Sequence, residues 1–160
     1  MVIGVGNDLR GDDALGLVVA RRLKKTVAAL VPGAEVVESR GDAAELIDLW
    51  TGRDEVLVID AFELPSGTAG EILEFDATVA PLPAPSAACS THALSLSQAV
   101  ELSRVLGTLP RQLTILGAVG AVFGMAQGLS PAIAAAADRL VVTIERRLNP
   151  GGETPCTNIP

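Results

Sequence analysis

One segment near the amino terminus carries more information than any other: Gly4-Val5-Gly6-Asn7-Asp8-Leu9-Arg10-Gly11-Asp12-Asp13-Ala14-Leu15-Gly16. Its apolar start predicts a strand, its glycines predict a turn, and its two adjacent acids open a helix. Gly-x-Gly after a first strand often precedes a phosphate site, because the N–H groups of a helix start attract anions. Here Asp8, Asp12 and Asp13 would repel a phosphate. The loop is therefore suited to a cation or to a polar reaction centre.

The composition restricts the class of protein. A length of 160 residues suits one domain, and the apolar fraction of 49% with 2% aromatic residues predicts an aliphatic core. The formal net charge of -7 argues against a nucleic-acid partner, which requires a basic face. No segment reaches the ~20 apolar residues of a membrane span, and the start does not resemble a signal peptide. Cys89 and Cys156 are too few for a disulfide framework. We therefore predict a cytoplasmic monomer without a nucleic-acid or membrane partner.

Apolar runs and helical repeats alternate along the chain. They predict strands over residues 1–5, 34–38, 56–59, 71–75 and 112–116, and helices over 12–30, 43–50, 90–106 and 130–148. This order predicts a single-domain α/β three-layer sandwich, with a twisted, mostly parallel sheet of about five strands and helices on both faces. Residues 1–148 would form the domain and residues 149–160 a flexible tail. The proline-rich segment 77–88 is predicted to be an ordered loop or a mobile flap.

Three polar segments are predicted to meet at one edge of this sheet. In open α/β sheets, ligands bind beyond the carboxyl ends of the strands. Segment 7–13 follows the first predicted strand, Asp60 ends the third, and His92 opens the helix after the fourth. Their residues are the candidates for a functional site.

Each candidate also has a structural interpretation. Asp12 or Asp13 could cap the first helix, and the residues alone do not choose between them. Asp60 could be a turn acid, although a carboxylate after four apolar residues is costly to bury unless it is paired or ligated. His92, the only histidine, could be a structural hydrogen-bonding group. It lies instead in a polar segment at a helix start, which disfavours the imidazolium and leaves a neutral ring able to bind metal.

Four segments, in order, resemble the hydrogenase maturation proteases. The first is G-x-G-N-x-L-x-x-D-D-x-x-G over residues 4–16, and the others are Val56-Leu57-Val58-Ile59-Asp60-Ala61, Ser90-Thr91-His92-Ala93-Leu94 and Gly128-Leu129-Ser130-Pro131. The resemblance spans roughly residues 1–148. It implies an endopeptidase that removes a C-terminal peptide from the precursor of the large subunit of a nickel–iron hydrogenase, which would be the partner.

The resemblance also implies a site. Asp13, Asp60 and His92 match the three metal-contacting positions of the family, which leaves Asp12 as the helix cap. In this family the nickel arrives within the substrate, so that no permanent metal is required. Two carboxylates and one imidazole would otherwise suit a divalent ion such as zinc. Asp13 or Asp60 could act as a catalytic base while it is not fully engaged by metal.

Two further features bear on the family resemblance. Cys89 lies close to His92 in the sequence, but no family role is known for it and we interpret it as a bystander. Relatives often carry Glu or Gln in the loop after the last strand, whereas residues 117–122 of this chain have no polar side chain. The substrate contacts that relatives make through this loop are therefore not assigned to residues 117–122 of this chain.

Two other functions remain open at the level of sequence. A metal-dependent hydrolase of another peptide or of a small substrate could use the same residues, and it would bind metal tightly by itself. A non-catalytic hydrogenase assembly factor would form a complex with its partner without removing mass from it.

Overall fold

The computed structural model describes residues 1–64, 66–82, 91–125 and 127–150, with their side chains except those of residues 28–30 and 91–95. Within these ranges the elements are β1 (Val2–Val5), α1 (Leu15–Leu30), β2 (Val36–Ser39), α2 (Ala43–Trp50), β3 (Glu55–Phe62), β4 (Ile72–Asp76), α3 (Thr91–Leu106), β5 (Gln112–Val119) and α4 (Pro131–Leu148). A 3₁₀ turn, Gly11–Ala14, leads directly into α1.

The strands form one sheet in the order β2-β1-β3-β5-β4. Strands β2, β1, β3 and β5 are parallel, and β4 pairs antiparallel with β5 at the edge. From β1 the chain moves first to β2 on one side and then to β3 on the other. The carboxyl ends of β1 and β3 therefore form a topological switch point, which is where sheets of this kind bind ligands.

Helices cover both faces of the sheet and create two apolar cores. On one face, Leu15, Val19 and Leu23 of α1 pack with Leu140 and Ile144 of α4. On the other face, α2 and α3 pack through the side chains Leu46, Trp50, Leu96, Ala99 and Val100. The predicted α/β three-layer sandwich with a five-stranded, mostly parallel sheet is confirmed.

Two strands are longer than the sequence predicts. Strands β3 and β5 stay in register from the pair Glu55 and Gln112 to the pair Phe62 and Val119. Residues 117–119, predicted as loop, therefore belong to β5, and Asp60 lies within β3 opposite Gly117 rather than at its end. Neighbouring strands supply the backbone hydrogen bonds here, so pairing extends past the residues whose side chains signal a strand.

Gly16 allows the start of α1 to pack directly on the backbones of β1 and β3 at the switch point. A Cβ atom on Gly16 would lie 2.2 Å from the carbonyl oxygen of Val5 and 2.3 Å from that of Ile59. On the adjoining strand, a Cβ atom on Gly4 would lie 2.2 Å from the carbonyl oxygen of Gly16. The helix therefore reaches the backbones of β1 and β3 directly, and this contact places the preceding 3₁₀ turn over the carboxyl ends of both strands.

We expect Gly16→Ala to destabilise the fold strongly. The new methyl group meets backbone oxygens that cannot move independently of the sheet, so the free energy of unfolding should fall by about 3 kcal/mol, the upper range for overpacking. Gly128→Ala is the matched control, because a Cβ atom at Gly128 meets nothing within 4 Å. Urea unfolding followed by the fluorescence of Trp50 measures both variants. Equal urea midpoints for the two variants would contradict the close packing of α1 on the sheet.

Other sequence predictions have mixed outcomes. The helix predicted over 43–50 is confirmed, and Asp42 caps it by accepting from the N–H groups of Ala44 and Glu45. Residues 77–82 form neither helix nor strand, as predicted, whereas residues 83–88 of the proline-rich segment lie outside the described residues. Cys89, Cys156 and residues 151–160 of the tail also lie outside them. Among the helices of the described ranges, none has the length and apolar character to cross a membrane.

Candidate active site

Asp60 is a buried acid in the centre of the sheet. Val56 and Val58 of β3 pack on the side of α2 and α3, and the two-residue repeat of a strand places Asp60 on the same face. Its side chain is buried, with 2% of the residue exposed, and its Oδ1 accepts from the Ala61 N–H at 2.8 Å. Burial raises the pKa of Asp60 well above its usual value, the Ala61 hydrogen bond opposes this rise, and the charge of Asp13 adds to it.

Asp13 is the second buried acid, and the 3₁₀ turn after β1 brings it into the electrostatic range of Asp60. Its residue is fully buried, and Arg10 Nη1 lies 3.9 Å from its Oδ2. The backbone of the turn is held by two hydrogen bonds: Asn7 N–H donates to the Asp13 carbonyl at 3.2 Å, and Asp13 N–H donates to the Arg10 carbonyl at 3.1 Å. The structure therefore brings together two of the three residues that the sequence singles out.

The three acids of the first loop have different surroundings. Asp8 is half-exposed and accepts a bidentate hydrogen-bonded ion pair from Arg21 at 2.7 and 2.6 Å, which lowers the pKa of Asp8. Asp12 is fully buried, and its carboxylate accepts from the loop that follows β5. Of these three acids, Asp13 is the one whose charge adds to the raised pKa of Asp60. In the sequence the three acids look alike, whereas the fold places each of them in different surroundings.

The predicted capping role of Asp12 is wrong. Neither Asp12 nor Asp13 caps α1, because the helix starts from the 3₁₀ turn, whose entry residue Arg10 and exit residue Ala14 make no side-chain capping bond. The carboxylate of Asp12 instead accepts from Ser130 N–H at the start of α4. Ser130 is the N-cap residue of α4 and Pro131 its first residue, but the Ser130 hydroxyl donates to Asp12 at 3.1 Å rather than capping its own helix.

His92 lies in the first turn of α3, which begins at Thr91. Near the other end of this helix, Arg104 donates to the carbonyl oxygens of Ala77 and Thr78, and Ala77 N–H donates to the carbonyl of Leu113 at the start of β5. A 16-residue helix is about 24 Å long, close to the length of an eight-residue strand, so the first turn of α3 lies toward the carboxyl edge of the sheet. The side chain of His92 is outside the described part of the chain.

The metal assignment therefore stays a prediction. Among the described side chains, no group of three His, Cys, Asp or Glu residues could hold a metal ion. Asp13 and Asp60 supply oxygen donors, and His92, the predicted third contact, is not among the side chains that were searched. Two buried carboxylates that interact electrostatically nevertheless fit a cation, because a positive charge would offset the effect of the Asp13 charge on Asp60.

Other loop residues support the site. Asn7 accepts from Leu9 N–H at 3.0 Å through its Oδ1, which closes an Asx turn ahead of Arg10. The sequence interpretation missed the roles of Arg10, Ser130 and Gly16. Of these three residues, only Gly16 could have been recognised from the sequence, because a glycine in the first turn of an amphipathic helix indicates close packing.

The raised pKa of Asp60 predicts that this residue lowers the stability of the folded state at neutral pH. Between the unfolded pKa of about 4 and the raised folded pKa, the folded state holds a proton that the unfolded state has lost, so stability falls as pH rises. Asp60→Asn removes this penalty and keeps the acceptor for Ala61 N–H. We expect Asp60→Asn to unfold at higher temperature than the unchanged chain at pH 7, with the difference shrinking toward pH 4. Circular dichroism melting in chelator measures it, and a variant that is less stable at pH 7 would contradict the prediction.

Comparison with known proteins supports the fold and identifies the family. A family model described as hydrogenase maturation protease, HycI, matches residues 18–147, a range that includes Asp60 and His92. The chain is 25% identical over 135 residues to the hydrogenase 2 maturation protease of Escherichia coli (strain K12), covering 84% of this chain and 81% of that protein.

Solved structures show the same fold. The hydrogenase maturating endopeptidase HybD from E. coli has a TM-score of 0.73 and 22% identity, covering 94% of this chain and 92% of that one. The [NiFe] hydrogenase maturation protease HycI from Thermococcus kodakarensis has a TM-score of 0.66 and 29% identity, covering 92% and 90%. The chain therefore belongs to the hydrogenase maturation protease family and is a hydrolase of peptide bonds.

Proposed function

We propose that this chain is an endopeptidase that removes a C-terminal peptide from the precursor of a nickel–iron hydrogenase large subunit. Family membership supports peptidase chemistry on a hydrogenase protein. The observation that carries the proposal is the Asp13–Asp60 pair, two buried acids that interact electrostatically at the switch point of the sheet. Such a pair is expensive to maintain for structure alone, which favours a role in the reaction.

The pair is suited to a cation. Burial and the charge of Asp13 both disfavour the ionised form of Asp60. A divalent ion beside the two carboxylates would reverse this effect and hold both in the ionised form. Asp13 and Asp60 would contact the ion through oxygen, and His92 is the proposed third contact.

We infer that the ion is nickel carried by the substrate, and that the chain needs no permanent metal. Two carboxylates and one imidazole include no thiolate, so they would hold nickel loosely on their own. Nickel already held by the precursor's thiolates brings most of its ligands with it. Recognition of that ion would let the protease distinguish a completed precursor from an empty one.

Asp60 is also suited to move a proton. The carboxylate form of a group with a raised pKa is a stronger base than an ordinary carboxylate, so Asp60 in its ionised form could accept a proton from water. Asp60 would do so while it is not fully engaged by the ion, and Asp13 is the alternative base. The Asp13–Asp60 pair would then recognise and orient the ion of the substrate and would also supply a proton acceptor.

The direct test is to produce candidate large subunits with and without this chain and to compare their intact masses. We expect one large subunit to lose a C-terminal peptide only when the chain is present, with the new terminus located by sequencing. A complex without loss of mass would instead identify an assembly factor, and cleavage elsewhere in the partner would contradict C-terminal processing.

A further inference from the structure

The loop between β5 and α4, residues 120–130, is attached to the candidate site through one residue. Asp12 N–H donates to the Val122 carbonyl at 2.7 Å. In return, Oδ2 of Asp12 accepts from the N–H groups of Ala121 and Val122, both at 2.9 Å. Ser130 closes the other end of the loop, donating from its N–H to Oδ1 at 2.7 Å and from its hydroxyl to Oδ2 at 3.1 Å.

Because Asp12 immediately precedes Asp13, these bonds also fix the position of Asp13. The 3₁₀ turn is held on one side by the bonds of the Asp13 backbone to Asn7 and Arg10, and on the other by the bonds of Asp12 to the loop. Gly11 makes this second contact close, since a Cβ atom there would lie 2.4 Å from the Val122 carbonyl oxygen. Without the carboxylate of Asp12, the loop side of the turn would keep only the backbone bond from Asp12 N–H to the Val122 carbonyl.

We propose that Asp12 is a positioning residue, whose buried carboxylate ties the β5–α4 loop to the 3₁₀ turn and thereby holds Asp13 in position at the site. This inference rests on the proposed function for its assay. Catalytic groups must be held to within a fraction of an ångström, and a misplacement of about 1 Å can cost roughly 100-fold in rate. Of the two adjacent acids, Asp13 would therefore take part in the reaction and Asp12 would hold Asp13 in position.

The bonding pattern requires a carboxylate at this position. All four groups that the Asp12 side chain meets are donors, one at Oδ1 and three at Oδ2. An asparagine has the same shape but carries an NH₂ group, which would face a donor in either orientation. With its oxygen at the Oδ2 position it loses the bond from Ser130 N–H. In the other orientation it loses the bonds from the N–H groups of Ala121 and Val122, and the Ser130 hydroxyl would have to rotate to accept instead of donate.

The test uses steady-state cleavage of the nickel-loaded precursor by three variants, at a temperature where melting shows each to be folded. For Asp12→Asn we expect kcat to fall about 100-fold with KM within about threefold of the unchanged chain. Ser130→Ala keeps three of the four bonds and should lower kcat about fivefold, again with little change in KM. Ser103→Ala is the stability control, because it removes the buried Trp50–Ser103 bond far from the site, and its kcat should be unchanged.

The outcomes separate this inference from the proposed function. No cleavage by the unchanged chain would refute the proposed function itself. Cleavage by the unchanged chain with an unaltered kcat in Asp12→Asn would overturn the positioning role, as would an effect confined to KM, which would indicate that the loop binds substrate. If Asp12→Asn does not fold, Ser130→Ala decides: a normal kcat in that variant overturns the proposal.

Discussion

Asp13→Asn is expected to abolish processing of the precursor and to leave the fold intact. The amide has the shape of the carboxylate but can neither bind a cation through a charged oxygen nor accept a proton. Loss of such a group typically lowers the rate about 10²- to 10⁴-fold, and loss of the ion contact adds to this. Asp60→Asn and His92→Ala should have effects of the same order. The mass of the large subunit after incubation measures activity, and circular dichroism melting measures folding.

Asp8→Asn is the matched control for this prediction. Asp8 belongs to the same loop, but it is half-exposed and pairs with Arg21 away from Asp60. Exposed ion pairs contribute about 0–1 kcal/mol, so this variant should process the precursor at nearly the normal rate. Full activity of His92→Ala would rule out an imidazole contact to the ion, because the chain has no other histidine. Full activity of Asp13→Asn would remove the acid pair from the mechanism.

Processing is expected to depend on nickel in the precursor and not on metal in the protease. Burial and the charge of Asp13 disfavour the ionised form of Asp60 when no cation is present, so a precursor without its ion offers nothing that would hold both groups as carboxylates. A chelated and desalted protease should cleave nickel-loaded precursor at the normal rate and nickel-free precursor at a rate below detection. Intact mass spectrometry of the large subunit follows both reactions.

The control for nickel dependence is a protease supplied with nickel while the precursor remains empty. The account expects no cleavage, because the thiolate ligands that hold the ion belong to the substrate. Equal cleavage of loaded and empty precursor would show that Asp13 and Asp60 perform chemistry that does not involve the ion. Cleavage restored by zinc bound to the protease would indicate a resident metal.

Much of the fold follows from local sequence signals. The apolar run before Asp60 predicts β3, and the alternation of strands with helices predicts the three layers. The ends of the strands are harder to predict from the sequence. Pairing between β3 and β5 continues through Gly117, and a glycine gives no side-chain signal for a strand. Tertiary hydrogen bonds, not propensity, set the ends of these strands.

The candidate site is only partly encoded in local patterns. The placement of Asp13 and Asp60 at one edge follows from the alternation of strands and helices, which the sequence predicts, and from the parallel pairing of β1 with β3. The separate roles of Asp12 and Asp13 do not, because a helix cap and a long-range anchor use the same residue type. The partners of Asp12 are Ala121, Val122 and Ser130, more than 100 positions away in the chain, and their contribution is mainly backbone N–H groups. Sequence patterns carry no information on which acid such groups will meet.

The measurement that tests the account most directly is the intact mass of a purified, nickel-loaded large-subunit precursor before and after incubation with this purified chain. The account predicts that the large subunit loses the mass of a single C-terminal peptide, that this peptide appears in solution, and that Asp13→Asn leaves both masses unchanged. An unchanged precursor mass with the active chain, or equal cleavage by Asp13→Asn, would contradict it.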